Sequence, residues 1–144
     1  MDDDLDEKAE EQWCAAQRED VRSYLVGQGL VSPIVGDWPA WHVAPIVAVW
    51  AVESQQQPGW VGWWAISGDL PTDYVTCGEE RSPRQALYDI GRRWSDAAEL
   101  WAIGKRCEAM SLGSEAKEKE LAPLLATRAE LLLDFASNDG IWND

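Results

Sequence analysis

The chain has 144 residues, 46% of them apolar, which is the size and make-up of one globular domain and excludes a disordered segment. Its formal net charge of −14 is unevenly placed: residues 1–20 carry nine acids against Lys8 and Arg18, residues 23–80 carry six acids and no Lys or Arg, and residues 81–144 set eleven acids against nine bases. Phosphate contacts need clustered Lys and Arg, so this distribution argues against nucleic acid and anionic membranes as partners, and it would steer a basic protein toward the chain.

Residues 1–8 read as an acidic, frayed start, and residues 9–144 as a single globular domain. From about Leu5 to Val26 the pattern is helical, with Trp13, Gln17, Val21, Tyr24 and Leu25 recurring at spacings of three and four. Gly27 and Gly29 end it. Pro33, Gly36, Pro39 and Pro45 predict loop or extended chain over 30–44. The β-branched run over 46–53, the loop Gln55-Gln56-Gln57-Pro58-Gly59 and the run over 60–66 predict an antiparallel hairpin. Tyr74–Cys77 is a candidate third strand.

Ser82-Pro83-Arg84-Gln85 is a helix start, with Ser as cap, Pro at the first helical position and Gln85 placed to complete a capping box. Leu87, Ile90, Trp94, Ala97 and Trp101 then line one face, and Gly104 ends the helix. A short helical turn is expected near Ser114–Lys119. The last helix is expected over about Leu121–Ala136, with Pro123 in its first turn and Leu124, Leu125, Leu131, Leu132 and Phe135 inward. A small sheet is not stable alone. The fold class is therefore α+β: three main helices packed on a two- or three-stranded antiparallel sheet.

Three cysteines, Cys14, Cys77 and Cys107, with no Cys-x-x-Cys pair, give neither a disulfide framework nor a zinc site. The acidic N-terminus is the opposite of a secretory leader, and no apolar run reaches the ~20 residues that span a bilayer. A cytoplasmic protein with reduced thiols is expected, with no cofactor and no metal.

Two groups of residues could carry chemistry. His42 is the only histidine, and it sits in Trp38-Pro39-Ala40-Trp41-His42. Its side chain titrates near neutrality and could act as a general base or metal ligand, although the ordinary reading is a packed, hydrogen-bonded residue. The densest polar cluster is Asp69, Thr72, Asp73 and Tyr74, after the apolar run that ends at Ile66. Its carboxylates could do acid–base work or bind a cation, while the ordinary reading is turn chemistry around Gly68 and Pro71. Ser67 is no nucleophile elbow, because position 65 is Ala and Pro71 opposes an immediate helix. With one Phe in the chain, most of the six tryptophans between Trp38 and Trp64 must fill the core. Trp38 and Trp41, in the Pro-rich stretch, are the candidates for exposure.

Trp38-Pro39-Ala40-Trp41-His42-Val43-Ala44-Pro45, Gly62-Trp63-Trp64-Ala65-Ile66-Ser67-Gly68-Asp69-Leu70-Pro71-Thr72-Asp73-Tyr74 and the segment Leu121–Leu132 resemble an uncharacterised bacterial domain-of-unknown-function family of about this length. The resemblance covers nearly the whole chain from Trp13 onward. It implies a bacterial single-domain protein and brings no activity with it.

Two main readings of function follow. The first is a non-catalytic protein-binding module, of an inhibitor or immunity kind, that docks a basic partner through Trp38, Trp41, His42, Asp69, Thr72, Asp73 and Tyr74. The second is a small-molecule or hydrolytic site in which His42, Asp69, Asp73 and Tyr74 converge with Trp41 as a wall. A self-assembling subunit is a third. Arg128, on the apolar side of the last helix, is expected to form a structural clasp with Asp69 or Asp73.

Overall fold

The computed structural model describes residues 2–78, 81–108, 110 and 112–142, with side chains from Asp6 onward. The chain forms two compact units, Met1–Pro83 and Arg84–Asp144. Among the described residues there are three α-helices and one four-stranded antiparallel sheet, an α+β arrangement.

The first unit opens with helix α1, Asp2–Gly27. It takes in residues expected to fray; Met1 lies outside the described residues. Gly29, at φ +100°, closes it, and Leu30 N donates back to Leu25 O at 3.1 Å. The sheet follows as β1 Trp41–Val43, β2 Val47–Glu53, β3 Val61–Gly68 and β4 Asp73–Thr76, in that spatial order. The central hairpin is where the apolar runs place it. The sheet has four strands, not two or three, because short segments at both edges pair with it.

The added strand β1 comes from the stretch expected to be loop or extended chain. Trp41, His42 and Val43 pair with Val49, Ala48 and Val47. Further back, Val35 bridges Val52, Gly36 N donates to Ala51 O at 2.9 Å and Glu53 N donates to Ile34 O at 2.9 Å. Residues 34–43 therefore run along β2 as one edge, interrupted by a bulge at Asp37, Trp38 and Pro39. Proline cannot donate to a central ladder but is tolerated at an edge, which is why Pro33, Pro39 and Pro45 fit here. Arg18 of α1 fastens the edge: its Nε donates to Gly36 O and its Nη2 to Val35 O, both at 2.9 Å.

Alternation along the strands sorts the side chains. Ala48, Trp50, Val52 and Ala65 face α1 and form one buried cluster with its Cys14, Val21 and Leu25. Trp13, Tyr24, Trp63 and Tyr74 pack around it. Val47, Val49, Ile66 and Val75 point to the opposite face and are buried as well.

The second unit contains α2, Pro83–Ala102, apart from its first residue, and α3, Glu115–Ser137. In α2, Leu87, Ile90, Trp94, Ala97 and Trp101 are fully buried, as their spacing predicts. Gly91 lets α3 approach, since a Cβ there would lie 3.1 Å from Leu133 Cγ and 3.2 Å from Leu132 Cβ. Helix α3 begins six residues earlier than expected. Ser114 is its cap, accepting from Lys117 N, so the separate turn at 114–119 is the first part of the same helix. Pro123 consequently lies inside the helix and not in its first turn. Burial recurs at Glu118, Ala122, Leu125, Ala129, Leu132 and Ala136, a steps-of-four-and-three stripe that Leu124 misses, and Leu124 is exposed. Glu118 is buried at the head of that stripe. Its Oε1 lies 2.9 Å from Arg106 Nε, and its Oε2 accepts from Leu112 N at 2.7 Å, tying down the connection between the helices.

Candidate functional site

His42 sits on the edge strand, and its ring reaches α1. Its Nε2 lies 2.7 Å from Glu10 Oε1. With Glu10 as a carboxylate, that bond has Nε2–H donating to Oε1. Trp13, one turn beyond Glu10, stacks on the imidazole with centroids 6.4 Å apart at 28°. Trp38, from the bulge, meets it edge-on at 5.3 Å and 88°. The histidine is thus held by one carboxylate and two indoles. His42 is mostly buried, Glu10 partly exposed, and Trp38 remains 49% exposed.

Backbone pairing explains why these residues meet. Glu10, Cys14 and Arg18 recur every four residues on α1, so they share a stripe facing the sheet edge. Arg18 holds the edge strand on one side of the bulge and Glu10 holds it on the other. The bulge between them pushes Trp38 outward. Asp37, beside Trp38, lies 3.6 Å from Arg18 and its side chain is otherwise in solvent. Cys14, buried below Glu10, has its thiol pKa raised, first by burial and then by the Glu10 charge.

The other expected members do not join His42. Trp41, Val49, Ile66 and Asp73 form one row across all four strands, on the face turned away from α1. His42 lies in the next row, with Ala48 and Ser67, on the α1 face. Asp73 and His42 therefore occupy opposite faces and opposite edges, three strand spacings or roughly 14 Å apart. Asp73 is 6% exposed, and its Oδ1 accepts from Tyr74 N at 2.8 Å. Tyr74 returns to the α1 face, where its ring meets Tyr24 edge-on at 6.0 Å. Asp69 is exposed in the β3–β4 turn, with its backbone N donating to Ile46 O at 2.9 Å. Thr72 is half-buried in the same turn. The expected convergence of His42, Asp69, Asp73 and Tyr74, with Trp41 as a wall, is absent. A strand's period of two sends neighbouring residues to opposite faces, and the turn lies across the sheet from β1.

Trp41 is half-buried. The second exposed tryptophan is Trp60, which lies in the β2–β3 turn and not at the start of the strand. Of the six tryptophans between Trp38 and Trp64, only Trp50 and Trp64 are buried and Trp63, like Trp41, is half-buried, so fewer of them fill the core than expected; in the second unit Trp94 and Trp101 are fully buried. Arg128 is half-buried on α3, in the second unit. Glu10 and Trp13 are the site residues that sequence reasoning missed. Their signal is the four-residue spacing of Glu10, Cys14 and Arg18, which marks one side of α1 without saying what it faces.

Among the described residues no three His, Cys, Asp or Glu side chains are grouped to hold a metal, and no helix is long and apolar enough to cross a membrane. The cysteines are free thiols.

The fold and this helix–edge cluster define a small acidic α+β protein with one exposed indole, Trp38, set against a His42–Glu10 pair. The chain belongs to the family described as Domain of unknown function (DUF4826), whose profile matches residues 7–142. No curated protein and no solved structure matches it.

Proposed function

We propose that the chain is a non-catalytic protein-binding module that docks a basic protein through the edge of its first unit. The observation that carries this reading is Trp38. Its indole stands half-exposed on a bulge fixed from both sides, edge-on to the His42 ring that pairs with Glu10, and next in the chain to the solvent-exposed Asp37. An exposed indole with a carboxylate next in the chain suits an Arg or Lys side chain, which gains a cation–π contact and an ion pair together. Tryptophan is enriched among the residues that dominate binding energy.

Charge supports the same reading. Residues 1–83 hold fifteen acids against four bases, a net −11, while residues 84–144 hold eleven against eight, a net −3. Such a field accelerates encounter with a cationic partner and weakens with salt. An inhibitor or immunity factor directed at a basic enzyme is the form of partnership this charge fits best.

The test is affinity capture from a lysate of the source organism, with the folded chain as bait and mass spectrometry as readout. One stoichiometric basic protein is expected, retained at low salt, released at high salt and lost with Trp38→Ala. An empty capture at low salt, or a partner indifferent to both salt and Trp38, sinks the reading.

A further inference from the structure

A second exposed surface lies at the end of the sheet where β2 turns into β3. Trp60 is 71% exposed there. Val31 and Ile34, in the connection after α1, are 77% and 60% exposed. Hydrogen bonds bring all three to the same end. Gln55 Nε2 donates to Val31 O at 2.6 Å, Glu53 N donates to Ile34 O at 2.9 Å, and Ser54 N donates to Trp60 O at 2.7 Å.

The turn that carries Trp60 is held firmly. Glu53 Oε1 accepts from Gly59 N at 2.9 Å, Ser54 Oγ accepts from Gln57 N at 3.1 Å, and Trp60 N donates to Gln57 O at 3.1 Å. Gly62 packs so closely on Ser54 that a Cβ there would lie 2.7 Å from Ser54 Cα. A large apolar side chain left in water on a rigid turn loses little entropy when a partner covers it. Scattered exposed apolar residues are ordinary, whereas several gathered at one end of a small unit mark an interaction surface.

We infer that this sheet end is the apolar anchor of the interface, and that its occupant is a cationic protein segment presenting an apolar side chain, not a second copy of this chain. Charge decides between the two. A second copy would bring one unit of net −11 against another, and residues 23–80 contain no Lys or Arg with which to pair. A segment mixing Lys or Arg with Leu, Phe or Trp meets both the apolar end and the surrounding field. The inference rests on the reading of the chain as a protein-binding module.

Phage-displayed random peptides, selected on the immobilised full chain at low salt and rebound to Trp60→Ser and Trp38→Ala, test it. Selected peptides should combine Lys or Arg with an aliphatic or aromatic residue. They should bind Trp60→Ser roughly thirtyfold more weakly, the loss typical of a binding hot spot. Circular dichroism should show Trp60→Ser folded, because the side chain it removes lies mostly in water. Peptides that lose affinity only with Trp38→Ala would overturn the anchor and leave the module standing. Peptides without basic residues would overturn the cationic occupant. Failure to select any binder would remove anchor and module together. Sedimentation equilibrium completes the test: a monomer is expected, and a dimer abolished by Trp60→Ser would show that a second copy is the occupant.

Discussion

At the scale of single residues, geometry assigns costs that composition hides. Gly68 closes β3 at φ +143°, and a Cβ there would sit 2.2 Å from Ile46 O. Gly68→Ala should therefore destabilise the chain by about 3 kcal/mol, combining backbone strain with a backbone clash, and urea unfolding measures it. Arg18 donates two charge-assisted bonds to edge carbonyls, so Arg18→Ala should cost about 2 kcal/mol. Arg18→Lys should recover only part of that, because a single ammonium cannot reproduce the planar fork. Cys14 gives the pH dependence. Its folded pKa is raised above the ordinary thiol value of 9.0 by burial and by Glu10. Folding therefore favours the neutral thiol, and its contribution is fully present below that value and lost as pH climbs through the folded pKa. Wild type should lose stability above pH 9 more steeply than Cys14→Ala, and at pH 8 Cys14 should react with Ellman's reagent more slowly than half-buried Cys77 and Cys107.

At the scale of elements, the helices and the central hairpin are legible in the sequence because their apolar periods are long and regular. The face of α2 from Leu87 to Trp101 is an example. What is not legible depends on partners distant in sequence. Strand β1 has three residues and three nearby prolines, and only pairing with β2 makes it a strand. The start of α3 is obscured because Glu115–Glu120 is polar apart from Ala116, and its one buried member, Glu118, looks solvated until Arg106 and Leu112 are seen around it. His42 is readable as a hydrogen-bonded residue, but Glu10 cannot be chosen among nine nearby acids without the helix's orientation on the sheet. Gly91 offers an element-scale test. Replacing it with valine adds branched bulk where Leu132 and Leu133 already crowd, so Gly91→Val should cost about 3 kcal/mol. A change below about 0.5 kcal/mol in chemical denaturation would mean that α2 and α3 are not in close contact there.

At the scale of the whole molecule, self-repulsion governs the response to salt. A net charge of −14 concentrated in the first unit opposes compaction, and salt screens it. Raising NaCl from about 20 mM to about 500 mM should increase unfolding free energy by on the order of 1 kcal/mol, the reverse of what a protein held by surface ion pairs would show. A flat salt response in denaturant titrations would mean the acids are already neutralised pairwise. The interrupted edge bears on the fate of the chain at high concentration. A long, flat edge strand is a template on which other chains add and fibres grow. Here the β1 side presents three paired residues, then a bulge carrying a projecting indole, with prolines before, within and after it. An incoming strand finds no continuous row of donors and acceptors along that side. Contacts made there must use side chains, so this edge offers no seed for amyloid.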